Sequence, residues 1–177
     1  MTPQKRVLIE LRPSKIHRSG VGVFSTIPIS AGQLVAEGIH DADFKDIISW
    51  SRFRNYSKEI QRKVMDFCVG TPKGFIPPEN MNFNQLTIEW YFNHSCSGNL
   101  GFNKDGNFVA IRNIKGGEEL SYDYSLADSN PLFTIRCLCK SKNCRKVVTG
   151  DDWKTPYFQR NNFRYMLPYI QRQIAKI

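Results

Sequence analysis

The sequence lacks any long apolar run. No stretch approaches the roughly 18 consecutive apolar residues that a membrane-spanning helix needs. The N-terminal segment contains only a brief apolar run, 7–9, without the basic-then-apolar pattern of a secretory signal. We therefore expect a soluble, intracellular protein that makes no membrane contact. A secreted effector is also compatible with these absences.

Internal repeats and low-complexity linkers are likewise absent. The chain has 177 residues, of which 41% are hydrophobic and 12% are aromatic. This length suffices for one well-packed domain and is too short for two domains of ordinary size. We expect a monomer or a weak dimer.

The chain also lacks a dedicated basic arm, although 25 Lys and Arg against 16 Asp and Glu give it a formal net charge of +9. Its basic residues are scattered, apart from a group within 140–146 and a diffuse set near the C-terminus. Such an excess can attract nucleic acid or another polyanion. Scattered charges are, however, typical of a solvated surface. Direct nucleic-acid binding therefore stays open.

The five cysteines are odd in number and fit a metal site better than a disulfide framework. Cys137, Cys139 and Cys144 have the spacing C-x-C-x4-C, which is one thiolate short of a closed tetrahedral zinc site. Cys96 can supply the fourth ligand, and thiolate ligands imply a reducing compartment. A set of unliganded or redox-active thiols is the alternative. Cys68 lies among apolar neighbours and is interpreted as a buried structural thiol.

Apolar residues at helical spacing predict a helical insert over about 41–69, with Asp41 and Ser57 as candidate helix caps. We interpret the apolar stripe of this insert, which begins at Phe44, as core rather than as a cofactor-binding face. A second pattern near the C-terminus predicts an amphipathic helix that is kinked or split at Pro168.

The remaining elements follow from alternating apolar residues and turn signals. A loop is predicted over 71–78 and a short helix over 85–91. Strands are predicted at 7–11, 20–24, 34–37 and 118–124, together with a hairpin whose turn covers 104–107.

Three short motifs precede the cysteine spacing in a fixed order. Gly20–Phe24 places two glycines in a strand-like segment, Asn93–Cys96 reads Asn-His-Ser-Cys, and Glu119–Tyr124 reads Glu-Leu-Ser-Tyr-Asp-Tyr. In this order they resemble the signature of SET-domain protein lysine methyltransferases that carry a post-SET zinc segment. The resemblance spans roughly residues 5 to 153, which is most of the chain.

This resemblance implies a mainly β, or α+β, fold of the SET type. That fold is β-clip-like and consists of small sheets with a knot-like C-terminal core, where one segment passes through a surrounding loop. The implied divisions are a SET domain over 1–134, a post-SET zinc segment over 135–153 and a C-terminal helical extension over 154–177. In the family, the helical insert forms one wall of the groove that binds the substrate peptide.

The resemblance also implies a protein-lysine N-methyltransferase that transfers a methyl group from S-adenosylmethionine to a lysine of a protein substrate, which is a histone, another DNA-associated protein or a different protein. Tyr124 corresponds to the principal catalytic tyrosine. Tyr122 corresponds to the position where a tyrosine favours monomethylation or dimethylation. One structural zinc ion would be held by Cys96, Cys137, Cys139 and Cys144. Residues implied to bind the cofactor are Gly20, Val21, Gly22, Asn93, His94, Tyr124 and Leu138.

Each motif also has a simpler interpretation. Taken alone, the paired glycines are typical of a strand entry or a bulge, and an Asn-His pair is typical of a loop that satisfies local backbone groups. A Tyr-x-Tyr sequence is typical of ordinary strand aromatics. The alternative to an enzyme is therefore a non-catalytic, zinc-stabilised basic module that binds protein or nucleic acid.

Overall fold

The fold consists of short strands with a few short helices. The computed structural model describes residues 8–17, 19–40, 43, 45–78 and 81–176. The strands are β1 (Ile9–Pro13), β2 (Val21–Ser25), β3 (Leu34–Ala36), β4 (Ile48–Ser49), β5 (Val69–Thr71), β6 (Gly74–Ile76), β7 (Asn93–His94), β8 (Leu100–Phe102), β9 (Phe108–Ala110), β10 (Glu119–Tyr122), β11 (Thr134–Arg136) and β12 (Val147–Thr149). The helices are α1 (Trp50–Arg54), α2 (Lys58–Phe67), α3 (Pro156–Asn162) and α4 (Pro168–Ile174).

The main sheet has the strand order β1-β2-β10-β8-β9-β3, and β7 pairs with β10 beside that path. Strand β2 pairs with β1 on one side and with β10 on the other, both antiparallel, so the glycine-containing strand lies next to the strand that leads to the two tyrosines. Val23, Leu100 and Leu120 are fully buried between the layers. The mainly β architecture predicted from the sequence is confirmed.

The helical insert is present as two helices, which confirms its helical character. Ser57 caps α2 by accepting the backbone N–H of Ile60, as predicted. Ser49 caps the preceding helix α1. Asp41 and Phe44 lie outside the described residues. The two helices pack on a small sheet of order β4-β6-β5.

The predicted loop over 71–78 is wrong, because most of it belongs to the hairpin β5–β6. Gly74 adopts a φ of 142°, a conformation open to glycine, and its missing side chain lets the backbone of Ile48 approach. Phe75 and Ile76 are buried on this hairpin. The two strands are only three residues long, too short for the alternating pattern that identifies strands in a sequence.

Residues 93–99 run along β10 and hold it in place. Strand β7 pairs with β10 in parallel, with Ser121 opposite Asn93 and Tyr122 opposite His94. The buried Asn99 side chain then brackets β10 by donating to the Glu119 carbonyl at 2.9 Å and accepting from the Ser121 N–H at 3.0 Å. This crossing brings two motifs together that lie about thirty residues apart in the sequence.

Two of the predicted elements are shorter than the pattern suggested. Strand β10 stops at Tyr122, because Asp123 caps a 3₁₀ turn over Tyr124–Leu126. Tyr124 therefore lies on a turn rather than on a strand. The predicted helix over 85–91 is reduced to a 3₁₀ turn, Ile88–Tyr91.

The C-terminal segment packs on the main sheet after the β11–β12 hairpin. Helices α3 and α4 are separate, and Pro168 begins α4, so the predicted split is confirmed. Phe158, Met166 and Ile170 are buried against the core of the sheet, and the Leu167 N–H donates to the Leu126 carbonyl at 2.8 Å. Within the part of the chain that the structure describes, no helix has both the length and the apolar character needed to cross a bilayer.

Candidate active site

Two tyrosines lie side by side at the end of β10. The ring centroids of Tyr122 and Tyr124 are 4.9 Å apart, and the Tyr124 hydroxyl donates to the Phe92 carbonyl at 3.0 Å. Phe108 packs edge-on against the Tyr122 ring. Burial raises the pKa of both tyrosines well above the ordinary value. Both hydroxyls are therefore protonated at neutral pH.

A narrow cavity of about 90 Å³ opens onto these two tyrosines. Aromatic rings of Trp90, Phe92, Phe108 and Phe133 line it, and residues 65–69 at the end of α2 form another wall. The helical insert thus contributes directly to the cavity. A cavity of this size and lining suits one unbranched, largely apolar chain rather than a bulky ligand.

The cavity also contains three acidic residues, Asp66, Glu89 and Asp128. Asp66 is exposed and Glu89 is half-buried, whereas Asp128 is 9% exposed. The Asp128 carboxylate accepts the N–H groups of Gly70 at 2.8 Å and Asn130 at 2.9 Å. Burial raises its pKa to about 7. Sequence reasoning missed Asp128, because nothing in its local pattern distinguishes it from a surface aspartate.

On the opposite face of β10, Asn93 is held by a polar cluster. Its side-chain amide donates to the Val21 carbonyl at 2.8 Å and to Glu119 Oε1 at 3.0 Å. Glu119 also accepts the Ser14 hydroxyl and the Lys15 N–H, each at 2.7 Å. Glu119 therefore fixes the orientation of Asn93 relative to the glycine-containing strand. The sequence placed Glu119 within a motif but did not indicate this role.

The glycines of β2 and the turn before it are needed for packing inside the protein. A Cβ at position 22 would lie 2.3 Å from Glu119 Oε1 and 3.2 Å from the Asn93 amide nitrogen, and one at position 20 would lie 3.0 Å from the His17 ring. The bare backbone of Gly22 thus makes room for the polar cluster. Val21 between the two glycines is 46% exposed and remains available to a ligand.

His94 connects the tyrosine pair to the cysteines. Its Nδ1 accepts the Tyr124 N–H at 3.2 Å, and its Nε2 lies 3.4 Å from Cys96 Sγ. Burial lowers the pKa of His94 to about 4, so the ring is neutral at physiological pH. Because Nδ1 accepts a hydrogen bond, the single ring proton is on Nε2 and points toward the sulfur.

The four predicted cysteine ligands lie together. The Sγ atoms of Cys96, Cys137, Cys139 and Cys144 are all within 4.8 Å of one another, and those of Cys96 and Cys137 are 3.7 Å apart. A tetrahedral zinc ion with Zn–S bonds of ~2.3 Å places its sulfurs ~3.8 Å apart. The donor set and its spacing therefore fit a zinc ion. The fold brings Cys96 next to the other three cysteines although about forty residues separate them in the sequence.

Backbone N–H groups donate hydrogen bonds to three of the four sulfur atoms and favour their thiolate form. Cys139 donates to Cys137 Sγ at 3.5 Å, Arg145 to Cys96 Sγ at 3.4 Å, and Lys146 to Cys144 Sγ at 3.4 Å. Such donors favour a charged sulfur over a neutral thiol.

Two further predictions concern Cys68, interpreted as a buried structural thiol, and Leu138, implied to bind the cofactor. Cys68 is buried at the end of α2, as predicted, and burial raises its pKa to about 12, which keeps the thiol unreactive. Leu138, between two of the clustered cysteines, is 43% exposed. It is an apolar side chain that a bound ligand could cover.

Arg145 joins the cysteine cluster to the turn that carries Tyr124. Its guanidinium forms two hydrogen bonds with the buried Asp123, at 2.6 and 2.7 Å. The same group lies 2.8 Å from Asp152 and over the ring of Phe158 at 5.2 Å. One side chain thus connects three segments around the site. No sequence pattern indicates this contact, apart from the position of Arg145 directly after Cys144.

The sequence profile of the SET domain matches residues 20–125. The chain therefore belongs to the SET domain family. The match covers β2, the insert, the Asn93 segment and both tyrosines, which are the elements that form the cavity and the polar cluster.

Individual relatives agree with this assignment. A variant-silencing SET domain-containing protein of Plasmodium falciparum is 31% identical over 152 residues, which cover 80% of this chain and 6% of that protein. The histone-lysine N-methyltransferase Su(var)3-9 of Drosophila melanogaster is 28% identical over 150 residues, which cover 73% of this chain and 23% of that protein. This chain thus matches less than a quarter of the length of either relative.

A solved structure shares the fold. The methyltransferase domain of human histone-lysine N-methyltransferase SETMAR superposes with a TM-score of 0.54 at 19% sequence identity. The superposition covers 80% of this chain and 57% of that chain.

Proposed function

We propose that this chain is a protein-lysine N-methyltransferase that uses S-adenosylmethionine and acts on a lysine of a histone or another protein. The observation that carries the proposal is the narrow aromatic cavity that the adjacent Tyr122 and Tyr124 line together. The Drosophila melanogaster relative named above is called a histone-lysine N-methyltransferase, which supports the same reaction and substrate class.

The cofactor supplies an electrophilic methyl group on a sulfonium, and transfer to an amine is a direct in-line displacement. The protein must therefore align the lysine, exclude water and favour its neutral form. The aromatic walls of the cavity strip water from the lysine side chain, which lowers its pKa. Tyr124 is the proposed catalytic tyrosine, and its hydroxyl is fixed in direction by the Phe92 carbonyl.

We propose that the cofactor binds beside Asn93 and reaches toward the tyrosine pair. The residues that would hold it are the ones the family resemblance implies: Gly20, Val21, Gly22, Asn93, His94, Tyr124 and Leu138. Glu119 supports this set because it fixes the Asn93 amide, and the exposed Val21 and Leu138 offer apolar surface to the uncharged part of the ligand.

Tyr122 is expected to limit the number of methyl groups added. Its hydroxyl, with any water it binds, occupies space at the end of the cavity beside Tyr124. A Tyr122→Phe variant loses this anchor and releases the space of one water, about 30 Å³, which is enough for a further methyl group. We expect the parent to make mainly monomethyl-lysine or dimethyl-lysine and the variant to raise the more highly methylated fraction severalfold. Intact-mass analysis of the substrate checks this, and an unchanged product distribution would contradict it.

We further propose that the cysteine cluster holds one structural zinc ion and that 135–153 is a post-SET zinc segment following a SET domain over 1–134. A zinc ion closes the loop between Cys96 and Cys137 and stabilises the β11–β12 hairpin beside the cavity. It takes no part in methyl transfer. The C-terminal helices, within 154–177, pack on this assembly.

Removal of one zinc ligand should therefore disorder the hairpin. We expect Cys139→Ser to reduce bound zinc from one equivalent per chain to less than about a tenth of that. The reason is that the variant has only three of the four thiolate ligands of the parent site. Metal analysis by mass spectrometry, together with hydrogen exchange of residues 134–149, checks this. Cys68→Ala is the matched control and should keep its zinc. Equal zinc in parent and Cys139→Ser would exclude the site.

The proposed activity is tested by incubating the zinc-loaded protein with methyl-labelled S-adenosylmethionine, mixed histones and a cell extract. Label in a protein band supports the enzyme. The competing function, a non-catalytic basic module, predicts no label and no cofactor binding by calorimetry. It also predicts salt-sensitive DNA binding that is unaffected by Tyr124→Phe.

A further inference from the structure

One buried side chain in the cavity has no role in the reaction as described above. Asp128 lines the same space as Tyr122 and Tyr124 and is 9% exposed. Its charge contributes to the raised pKa of Tyr122, after the larger effects of burial and of Tyr124. Asp128 and the two tyrosines thus line one common space.

Asp128 is a buried acid without a cationic partner. Its two oxygens accept two neutral backbone N–H groups, from Gly70 and Asn130, whereas a carboxylate has about four acceptor positions. None of the ion pairs among the described residues includes Asp128. The buried Asp123, by comparison, is fully paired with Arg145. Buried charges are normally paired, so the Asp128 site is suited to a cation that comes from outside.

The composition of the cavity points to the same ligand. Its lining contains three acids and no lysine, arginine or histidine among the described residues, although the whole chain has a net charge of +9. The remaining walls are aromatic or aliphatic. A complementary ligand therefore combines a thin apolar chain with a cationic end, which is the chemistry of a lysine side chain in its ammonium form.

We propose that Asp128 is the counter-ion that receives the ammonium group of the target lysine when it enters the cavity. This rests on the proposed function, because the ligand is the substrate of that same site. Asp128 acts when the side chain enters, where it selects a charged alkylammonium over a neutral chain of the same shape. The lysine then loses its proton to solvent before methyl transfer, because the displacement uses the neutral amine. The exposed Asp66 and the half-buried Glu89, which line the same cavity, add a weaker attraction that water screens.

A purely structural role for Asp128 accounts for only part of these observations. Its bond to the Gly70 N–H, together with the bond from the Ser129 N–H to the Gly70 carbonyl at 2.9 Å, ties β5 to the segment after Tyr124. These bonds explain why the residue is polar, since Gly70 needs an acceptor. They do not explain why an acidic side chain lines a cavity that has no basic side chain among its described lining residues. The two roles differ in whether the site distinguishes a charged ligand from a neutral one.

The test uses n-butylammonium chloride as the probe and 1-butanol as its neutral counterpart, at pH 8 and constant ionic strength, with Trp90 fluorescence and NMR shifts as readouts. We expect the parent to bind n-butylammonium at least tenfold more tightly than 1-butanol. Asp128→Asn should reduce that preference to less than twofold, while its affinity for 1-butanol stays within a factor of about two. Asp66→Asn and Glu89→Gln should each reduce the preference by less than Asp128→Asn does.

Two results would overturn the proposal. The first is equal or tighter binding of 1-butanol by the parent, which requires no variant and so decides the matter even if Asp128→Asn fails to fold. The second is a preference for n-butylammonium that survives in Asp128→Asn. Neither readout needs a cofactor or a protein substrate. A protein that fails to transfer methyl groups could therefore still show the preference for n-butylammonium over 1-butanol. An active enzyme without that preference would exclude only the role of Asp128.

Discussion

Replacement of Tyr124 by phenylalanine is expected to slow methyl transfer by roughly a hundredfold, a typical loss when one positioned hydrogen-bonding group is removed from an active site. The hydroxyl is anchored to the Phe92 carbonyl at 3.0 Å and lies at the cavity with the neighbouring Tyr122. The variant removes this group without opening the aromatic wall. Single-turnover rates with saturating cofactor measure the effect.

The appropriate control is Tyr157→Phe, because Tyr157 is 69% exposed on α3 and lies away from the cavity. It should transfer methyl groups at the parent rate. Tyr124→Phe also leaves the Phe92 carbonyl without its donor, which costs about 1 to 3 kcal/mol of folding free energy. Denaturation curves therefore need to show that the variant is folded under assay conditions. A folded Tyr124→Phe enzyme with an unchanged rate would remove Tyr124 from the catalytic assignment.

Replacement of Arg145 by methionine is expected to destabilise the protein by about 3 kcal/mol. The change leaves Asp123 buried without the guanidinium that pairs with both of its oxygens. It also removes the contacts that connect the cysteine hairpin to Asp152 and Phe158. Because Asp123 caps the turn that carries Tyr124, activity should fall together with stability. Urea denaturation of the zinc-loaded protein measures the free energy of unfolding.

Arg112→Met is the matched control, since Arg112 forms an ion pair with Glu118 at 2.9 Å between side chains that are 49% and 29% exposed. Exposed pairs of this kind contribute less than about 1 kcal/mol. The double variant Asp123→Asn with Arg145→Met should lose less free energy of unfolding than the two single variants lose together. The reason is that the double variant has no unpaired buried charge. Equal effects of Arg112→Met and Arg145→Met would show that the buried pair has no special role.

The cysteine site could be predicted because its signal is local and chemically specific. Three cysteines within eight residues, with one more in a separate motif, leave few arrangements other than a metal site. The strands β2 and β9 and the C-terminal split at Pro168 were also predictable, since alternating apolar residues and proline act over short distances.

Long-range polar contacts could not be predicted. The hydrogen-bonded residues Asp128 and Gly70 are 58 positions apart in the sequence, and Arg145 and Asp123 are 22 positions apart. Neither pair therefore produces a periodic pattern. Gly22 illustrates the same limit. A glycine in a strand indicates close approach, but the sequence does not say that the approaching group is Glu119 rather than a ligand.

The hairpin β5–β6 was missed for a different reason. Its strands are three residues each and are joined through Pro72 and Lys73, so the segment has the composition of a loop. The Gly74 conformation and the burial of Phe75 become visible only in the folded chain.

The most direct test of the account is tandem mass spectrometry of histones and extract proteins after incubation with the zinc-loaded protein and S-adenosylmethionine, in parallel with Tyr124→Phe. The account predicts a methyl group on the side-chain nitrogen of lysine with the parent and a loss of roughly a hundredfold with the variant. Methylation of any other side chain, or equal lysine methylation by parent and variant, would contradict it.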